Sequence, residues 1–384
     1  MSGPLVVYGE VVLDYDFGPD HPLTPRRFAP SIDLLRTLGA SHFVAPRMAS
    51  DEEITRLHTP EFVRTVRRFS VDPWHHVPSH GIGPGDCPPF DAMHEASAQV
   101  VGGSLEAVDR VLAGEVEHAF NPAGGLHHAM AGRASGFCIY NDVALAVARA
   151  RDAGHRVMYV DLDVHHGDGT QALFWDDPNV LTLSMHETGL SLFPGSGFVD
   201  ERGGSGAAGT KVNVPLQPYS GDGSWLTAVE QLVPALADAF RPTFLVSQHG
   251  CDTHVYDPLA HLRLTTRAYR AQTLLLDAIA HEYATGRWVA TGGGGYDAYR
   301  VVPRSWALVW LAQAHLEPPI ETDPAWRDRW VNEAERYDQA PPPATFLDPI
   351  DLVKPEPAEV TAANLRTTER SLSGALGLLR GGMT

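Results

Sequence analysis

Apolar, β-branched runs at 5–8, 118–121, 157–164, 180–185, 212–216, 244–248 and 288–291 predict seven short strands. Between several of them the apolar positions take helical spacing, over 92–113, 143–152, 225–240 and 266–285. The stop signals agree, since Gly154 and Gly286 follow two of these helices and Pro242 follows a third. Strands that alternate with helices imply right-handed crossovers and a central, mainly parallel sheet covered on both faces. Ligands of such sheets bind beyond the carboxyl ends of the strands.

The unusual polar residues fall at those ends. After 118–121 comes PAGGLHHA with His127 and His128; after 180–185 comes HETGLSLFPGSG; after 244–248 comes HGCDTH with Asp252; after 288–291 comes GGGGY with Tyr296. The densest stretch is VMYVDLDVHHGDGT at 157–170, where a strand runs without a break into metal-binding and acid-base side chains. Strand alternation puts Asp161, Asp163 and His165 on one side and Leu162 and Val164 on the other. Gly167 and Gly169 allow a tight turn that brings Asp168 back to the same mouth. So many buried acids need a cation or hydrogen-bond donors to offset them.

That chemistry narrows the reaction class. Catalytic zinc takes three protein ligands and keeps a position open, and Asp163, His165 and Asp252 can supply them. A carboxylate-rich set also admits Fe(II), Mn(II) or Co(II). A bound divalent cation lowers the pKa of water and polarises a carbonyl, which points to hydrolysis. The adjacent His127 and His128, each held by an acid such as Asp161 or Asp168, are suited to the proton transfers. GGGG before Tyr296 lacks the GK[ST] ending of a phosphate loop.

Composition changes the picture in three places. The 384 residues carry a formal net charge of −18, which argues against a nucleic-acid or anionic membrane surface. Cys87, Cys138 and Cys251 are odd in number and lack CxxC spacing, so neither a disulfide framework nor a thiolate zinc site is expected. No stretch reaches the roughly 18 apolar residues of a membrane span, and the amino terminus has no secretory pattern, so a reducing cytoplasmic location is expected. From residue 316 the chain turns Pro-rich, with Trp326 and Trp330 and an amphipathic pattern near 365–379. Residues 316–384 are expected to form an extension that packs on a catalytic domain spanning 1–315.

The residues also carry a resemblance. HPLTPRR (21–27), GDCP (85–88), GGLHHA (124–129), SGFCIYND (135–142), VDLDVHHGDGTQ (160–171), SMH with LFPGSG (184–197), HGCDTHVYDPLAHL (249–262) and GGGGYDAYRVVPRSW (292–306) resemble the zinc-dependent histone deacetylase superfamily. The resemblance is closest to its bacterial acetoin-utilisation branch. It implies a three-layer arginase/deacetylase-like α/β fold, with the active site at the carboxyl strand ends, and removal of acetyl groups from N6-acetyl-lysine in proteins. It implies Asp163, His165 and Asp252 as zinc ligands, with Fe(II) as the other metal. His127 and His128 would be the acid-base pair, hydrogen-bonded to Asp161 and Asp168 respectively, and Tyr296 would stabilise the oxyanion. Phe137, Phe193 and Gly136 would wall a tunnel, and Asp86 would hold the substrate backbone at its rim. A structural potassium ion is implied near Asp161, Asp163, His165, Ser184 and Met185. An acetylated protein, such as an acyl-CoA synthetase, is the implied partner. Leu126 stands where many eukaryotic relatives have Trp.

Other readings are an acetylpolyamine amidohydrolase, an arginase-like manganese hydrolase, or a silent binder of acetylated chains. The second metal-ligand set that the arginase-like reading needs is not apparent in the sequence.

Overall fold

A computed structural model describes residues 3–381. The seven expected strands are present: β1 (Leu5–Val7), β3 (His118–Asn121), β4 (Val157–Asp161), β5 (Val180–Glu187), β6 (Lys211–Leu216), β7 (Phe244–Gln248) and β8 (Trp288–Thr291). An eighth, β2 (Phe43–Val44), forms one edge and was too short to show as an apolar run. The order is β2-β1-β3-β8-β7-β4-β5-β6, and every pairing is parallel. All the carboxyl ends therefore lie along one edge. The five strands that precede the unusual polar segments, β3, β8, β7, β4 and β5, are consecutive neighbours in the sheet.

Alternation along the strands sorts the core into layers. In β4, Val157 and Tyr159 pack with Val108, Val143 and Val147, on the side of helices Met93–Leu112 and Asp142–Asp152. Met158 and Val160 pack on the other side with helices Phe28–Thr37, Asp222–Phe240, Thr266–Ala284 and Val302–Gln313. Both faces are buried, as a wholly parallel sheet requires. A further apolar cluster, including Phe62, Ile139 and Tyr140, lies around Leu126 and Tyr296.

The run at 157–164 is corrected by the structure, because the strand stops at Asp161. The N–H groups of Asp163, Val164 and His165 turn to the carboxylates of Asp161, Asp252 and Asp163, at 3.3, 2.9 and 3.0 Å. Those donors are no longer available to a ladder. The expected alternation outlasts the strand, since Leu162 and Val164 still enter the core.

The carboxyl-terminal segment wraps the same core. Helix Pro324–Arg336 buries Trp326 completely, and its indole N–H donates to the carbonyl of Pro30 at 2.8 Å. The Trp330 indole N–H donates to Asp33 at 2.8 Å. Asp348 accepts from Arg304 at 2.9 Å and contacts His254 at 2.8 Å, bracing the loop that carries Asp252. Helix Ala358–Gly381 extends well beyond the amphipathic pattern at 365–379; Ser371 donates to the carbonyl of Asn213 on β6. No described helix is long and apolar enough to cross a membrane. Replacing Trp326 by Ala should cost about 3–5 kcal/mol of unfolding free energy in a urea titration. An unchanged midpoint would mean that the wrapped segment contributes nothing to the stability of the core.

Candidate metal centre and active site

Each chemical group at the sheet edge is aimed by a neighbour. Beyond β3 the chain turns through 122–126, and the buried Asp142 clamps that turn by accepting the N–H groups of Gly125 and Leu126, at 3.1 and 2.8 Å. His127 and His128 follow, both buried. Nδ1 of His127 lies 2.8 Å from Asp161, and Nδ1 of His128 lies 2.7 Å from Asp168. With both Nδ1 atoms turned to acids, the two Nε2 atoms face each other at 3.0 Å. Asp161 also accepts from the Tyr159 hydroxyl at 2.7 Å.

Asp163, His165 and Asp252 converge beside this pair, with one ligand atom from each lying within 4.8 Å of the others. Nδ1 of His165 is 3.0 Å from Asp163 and 3.2 Å from Asp252. The second oxygen of Asp163 accepts from Gln248 at 2.6 Å and from the Gly294 N–H at 2.8 Å. Two carboxylates and an imidazole aimed at one point, with their outer lone pairs satisfied by the protein, fit a divalent cation with an open coordination position.

The electrostatics separate the groups. Burial and the adjacent Asp163 push Asp252 up to about 6, against the pull of His165. Burial also opposes charge on Asp163, but His127 and His165 hold it well below the usual carboxylate range. Burial would lower His127, yet Asp161 and Asp163 raise it to about 9. Burial and the charge on His127 press His128 down to about 4. Adjacent rings with protonation pushed apart supply one proton donor and one base. Burial, then the charges of Asp252 and Asp163, raise the Tyr296 phenol well above its ordinary value, so it stays a donor.

The walls are placed by loops. The Phe193 ring meets the His128 ring edge-on at 5.0 Å, and Phe137 meets Tyr296 at 6.1 Å. Phe193 is 44% exposed and marks the outer end of the site. Gly136 has φ +54°, and a Cβ there would lie 2.2 Å from His128, so only glycine fits. The Gly136 N–H donates to the exposed Asp86 at 2.6 Å. For the potassium expectation, Ser184 lies opposite Asp161 in the ladder, with Met185 next to it. Among the described residues no backbone N–H donates to the carbonyls of Asp163 and His165, which leaves both free to face a cation.

Sequence patterns missed several supports. Gln248 and Tyr159 could have been found, as polar groups at or near the ends of strands that lead into the site. Arg27 had no local signal, yet it is buried and donates to the carbonyls of Gly293 and Gly295, at 2.7 and 3.3 Å, fixing the loop before Tyr296. With Tyr15, Leu23 and Leu126 it lines a narrow internal cavity behind the site. Asp257 holds the Tyr296 N–H at 3.0 Å.

A family model described as the histone deacetylase domain matches residues 21–313. The acetoin utilization protein AcuC of Bacillus subtilis (strain 168) is 40% identical over 380 residues, covering 97% of each chain. AcuC of Staphylococcus xylosus is 35% identical, covering 96% of this chain and 97% of that one. A crystal structure of an HDAC homolog complexed with SAHA superposes with a TM-score of 0.82 at 27% identity, covering 96% of this chain and all of that one.

A Cβ at Gly294 would lie 1.9 Å from Oδ2 of Asp252 and 3.0 Å from Oδ2 of Asp163. Gly294→Ala should therefore weaken metal binding on the order of 10–100-fold in a chelator competition. Wild-type affinity in that variant would mean that these two carboxylates do not hold the ion.

Proposed function

The chain belongs to the histone deacetylase family, and we propose that it is a metal-dependent amidohydrolase that removes acetyl groups from N6-acetyl-lysine side chains of proteins, releasing acetate. The observation that carries this reading is the contact between the Asp163–His165–Asp252 set and the acid-paired His127 and His128, with aromatic rings on both sides. Zinc is the metal we put forward, with iron(II) as the competitor, and potassium as the structural ion near Ser184.

A divalent cation held by Asp163, His165 and Asp252 would polarise the acetyl carbonyl and acidify the attacking water. The neutral His128, with its Nδ1–H committed to Asp168, takes the water proton at Nε2, which gives up its 3.0 Å contact with the His127 ring to do so. As the water oxygen bonds to the carbonyl carbon, the Tyr296 hydroxyl donates to the oxygen that gains charge. His127, kept protonated by Asp161, steadies the charge that builds up beside it. When the carbon–nitrogen bond breaks, the departing amine takes a proton from the histidine pair, leaving acetate and a free lysine. Phe137 and Phe193 would grip the aliphatic stem of the acyl-lysine, and Asp86 would receive a backbone N–H at the rim. An acetylated acyl-CoA synthetase is the kind of protein substrate we put forward.

Metal-stripped protein reloaded with zinc or iron should hydrolyse an acetyl-lysine peptide, and Asp252→Asn should abolish turnover. Turnover of an N-acetylpolyamine alone would reassign the substrate, and metal binding without turnover of either would make the protein a binder. Tyr296→Phe should lower kcat by about 10²–10³-fold with metal content unchanged; near-normal turnover would remove Tyr296 from the oxyanion role.

A further inference from the structure

A second set of ligating side chains lies at the opposite edge of the sheet. His118 is the first residue of β3, so it sits at the amino-terminal edge, away from the carboxyl ends that carry the site above. Asp277 and His281 are four residues apart on helix Thr266–Ala284 and so share a face. His315 follows helix Val302–Gln313. One atom from each of the four residues lies within 4.8 Å of the others.

The distances discriminate between a hydrogen-bonded cluster and a metal site. Nε2 of His281 is 3.2 Å from Nε2 of His118 and 3.2 Å from Nε2 of His315. Oδ1 of Asp277 is 3.5 Å from His118, 3.5 Å from His281 and 3.4 Å from His315. An imidazole nitrogen has either one proton or one lone pair to offer. Nε2 of His281 thus has three close polar neighbours and can satisfy one, so even with His315 donating to Asp277 hydrogen bonding leaves two of these three contacts unexplained. A tetrahedral centre does, because ligand bonds of about 2.0–2.1 Å give ligand–ligand edges of about 3.3–3.4 Å. The five edges at 3.2–3.5 Å match.

We infer that His118, Asp277, His281 and His315 bind a second transition-metal ion, zinc by preference, in a closed four-ligand structural site. Three imidazoles and one carboxylate suit Zn(II) and the neighbouring divalent ions Co(II), Ni(II) and Cu(II). Four protein ligands leave no position for a substrate, whereas the three at the sheet's other edge do. An entry path exists, since His118 and His315 line a surface cleft of about 530 Å³ that also includes Glu115 and Glu117. The elements joined here are those whose other ends approach the site above. β3 leads to His127 and His128, helix Thr266–Ala284 follows the Asp252 loop, and helix Val302–Gln313 follows Tyr296. The second ion therefore staples the far ends of the elements that carry the reactive groups. It lies at the other edge of the sheet from the first, so it gives no support to a two-metal, arginase-like centre.

Cobalt(II) titration of metal-free protein tests this without any activity assay. The wild type should take up two equivalents, one of them with the visible absorption of tetrahedral cobalt. The variant His281→Gln/His315→Gln, changed at two exposed positions, should take up one. Zinc should raise the thermal midpoint of the wild type further than that of this variant. Equal uptake by the two proteins would overturn the inference. Should the double variant not fold, Asp252→Asn decides: one tetrahedral cobalt per chain supports the second site, and none refutes it.

Discussion

The constraint on which the rest of the site depends is the burial of Asp163 and Asp252 side by side. Two carboxylates out of water repel each other and lose their hydration, and the protein compensates with five groups from three places in the chain. The N–H groups of Val164, His165 and Gly294, the Gln248 amide and the His165 ring all point at these oxygens. This compensation ends β4 at Asp161, because backbone donors spent on carboxylates cannot extend a ladder. It also dictates glycine at 294, where any Cβ would strike Asp252.

The histidine pair depends on the same field. His127 and His128 are adjacent and equally buried, yet they are pushed in opposite directions. His127 faces Asp161 and feels Asp163, while His128 has the single acid Asp168 and a charged ring beside it. The protein gives one ring a proton and withholds it from the other through neighbours alone. Gly136 lies against His128, so the glycine and the orientation of that ring are set by one close approach.

Support comes from well outside the strand ends. Arg27, from the start of the chain, pins the glycine loop before Tyr296. Asp348, from the segment after residue 316, braces the loop after Asp252 through His254 and Arg304. The histidine cluster on the opposite edge would fasten the same elements from below. An open ligand set at one edge and a closed one at the other would divide the metal chemistry between reactivity and scaffolding.

The sequence by itself determined the alternating α/β architecture, the parallel sheet and the groups delivered at its carboxyl edge. Those features are local: apolar runs, glycine turns and the spacing of Asp161, Asp163, His165 and Asp168 are read within a few residues. The family motifs added Phe137, Phe193 and Asp86, whose placement no short pattern discloses. Only the tertiary structure decided that β4 stops at Asp161, and that Arg27 and Asp348 hold the site loops. It alone brought His118, Asp277, His281 and His315 together. The physical reason is separation in sequence, since Arg27 meets Gly293 across 266 positions and His118 meets His281 across 163. Contacts of that range are chosen by strand order and helix packing, which belong to the folded chain.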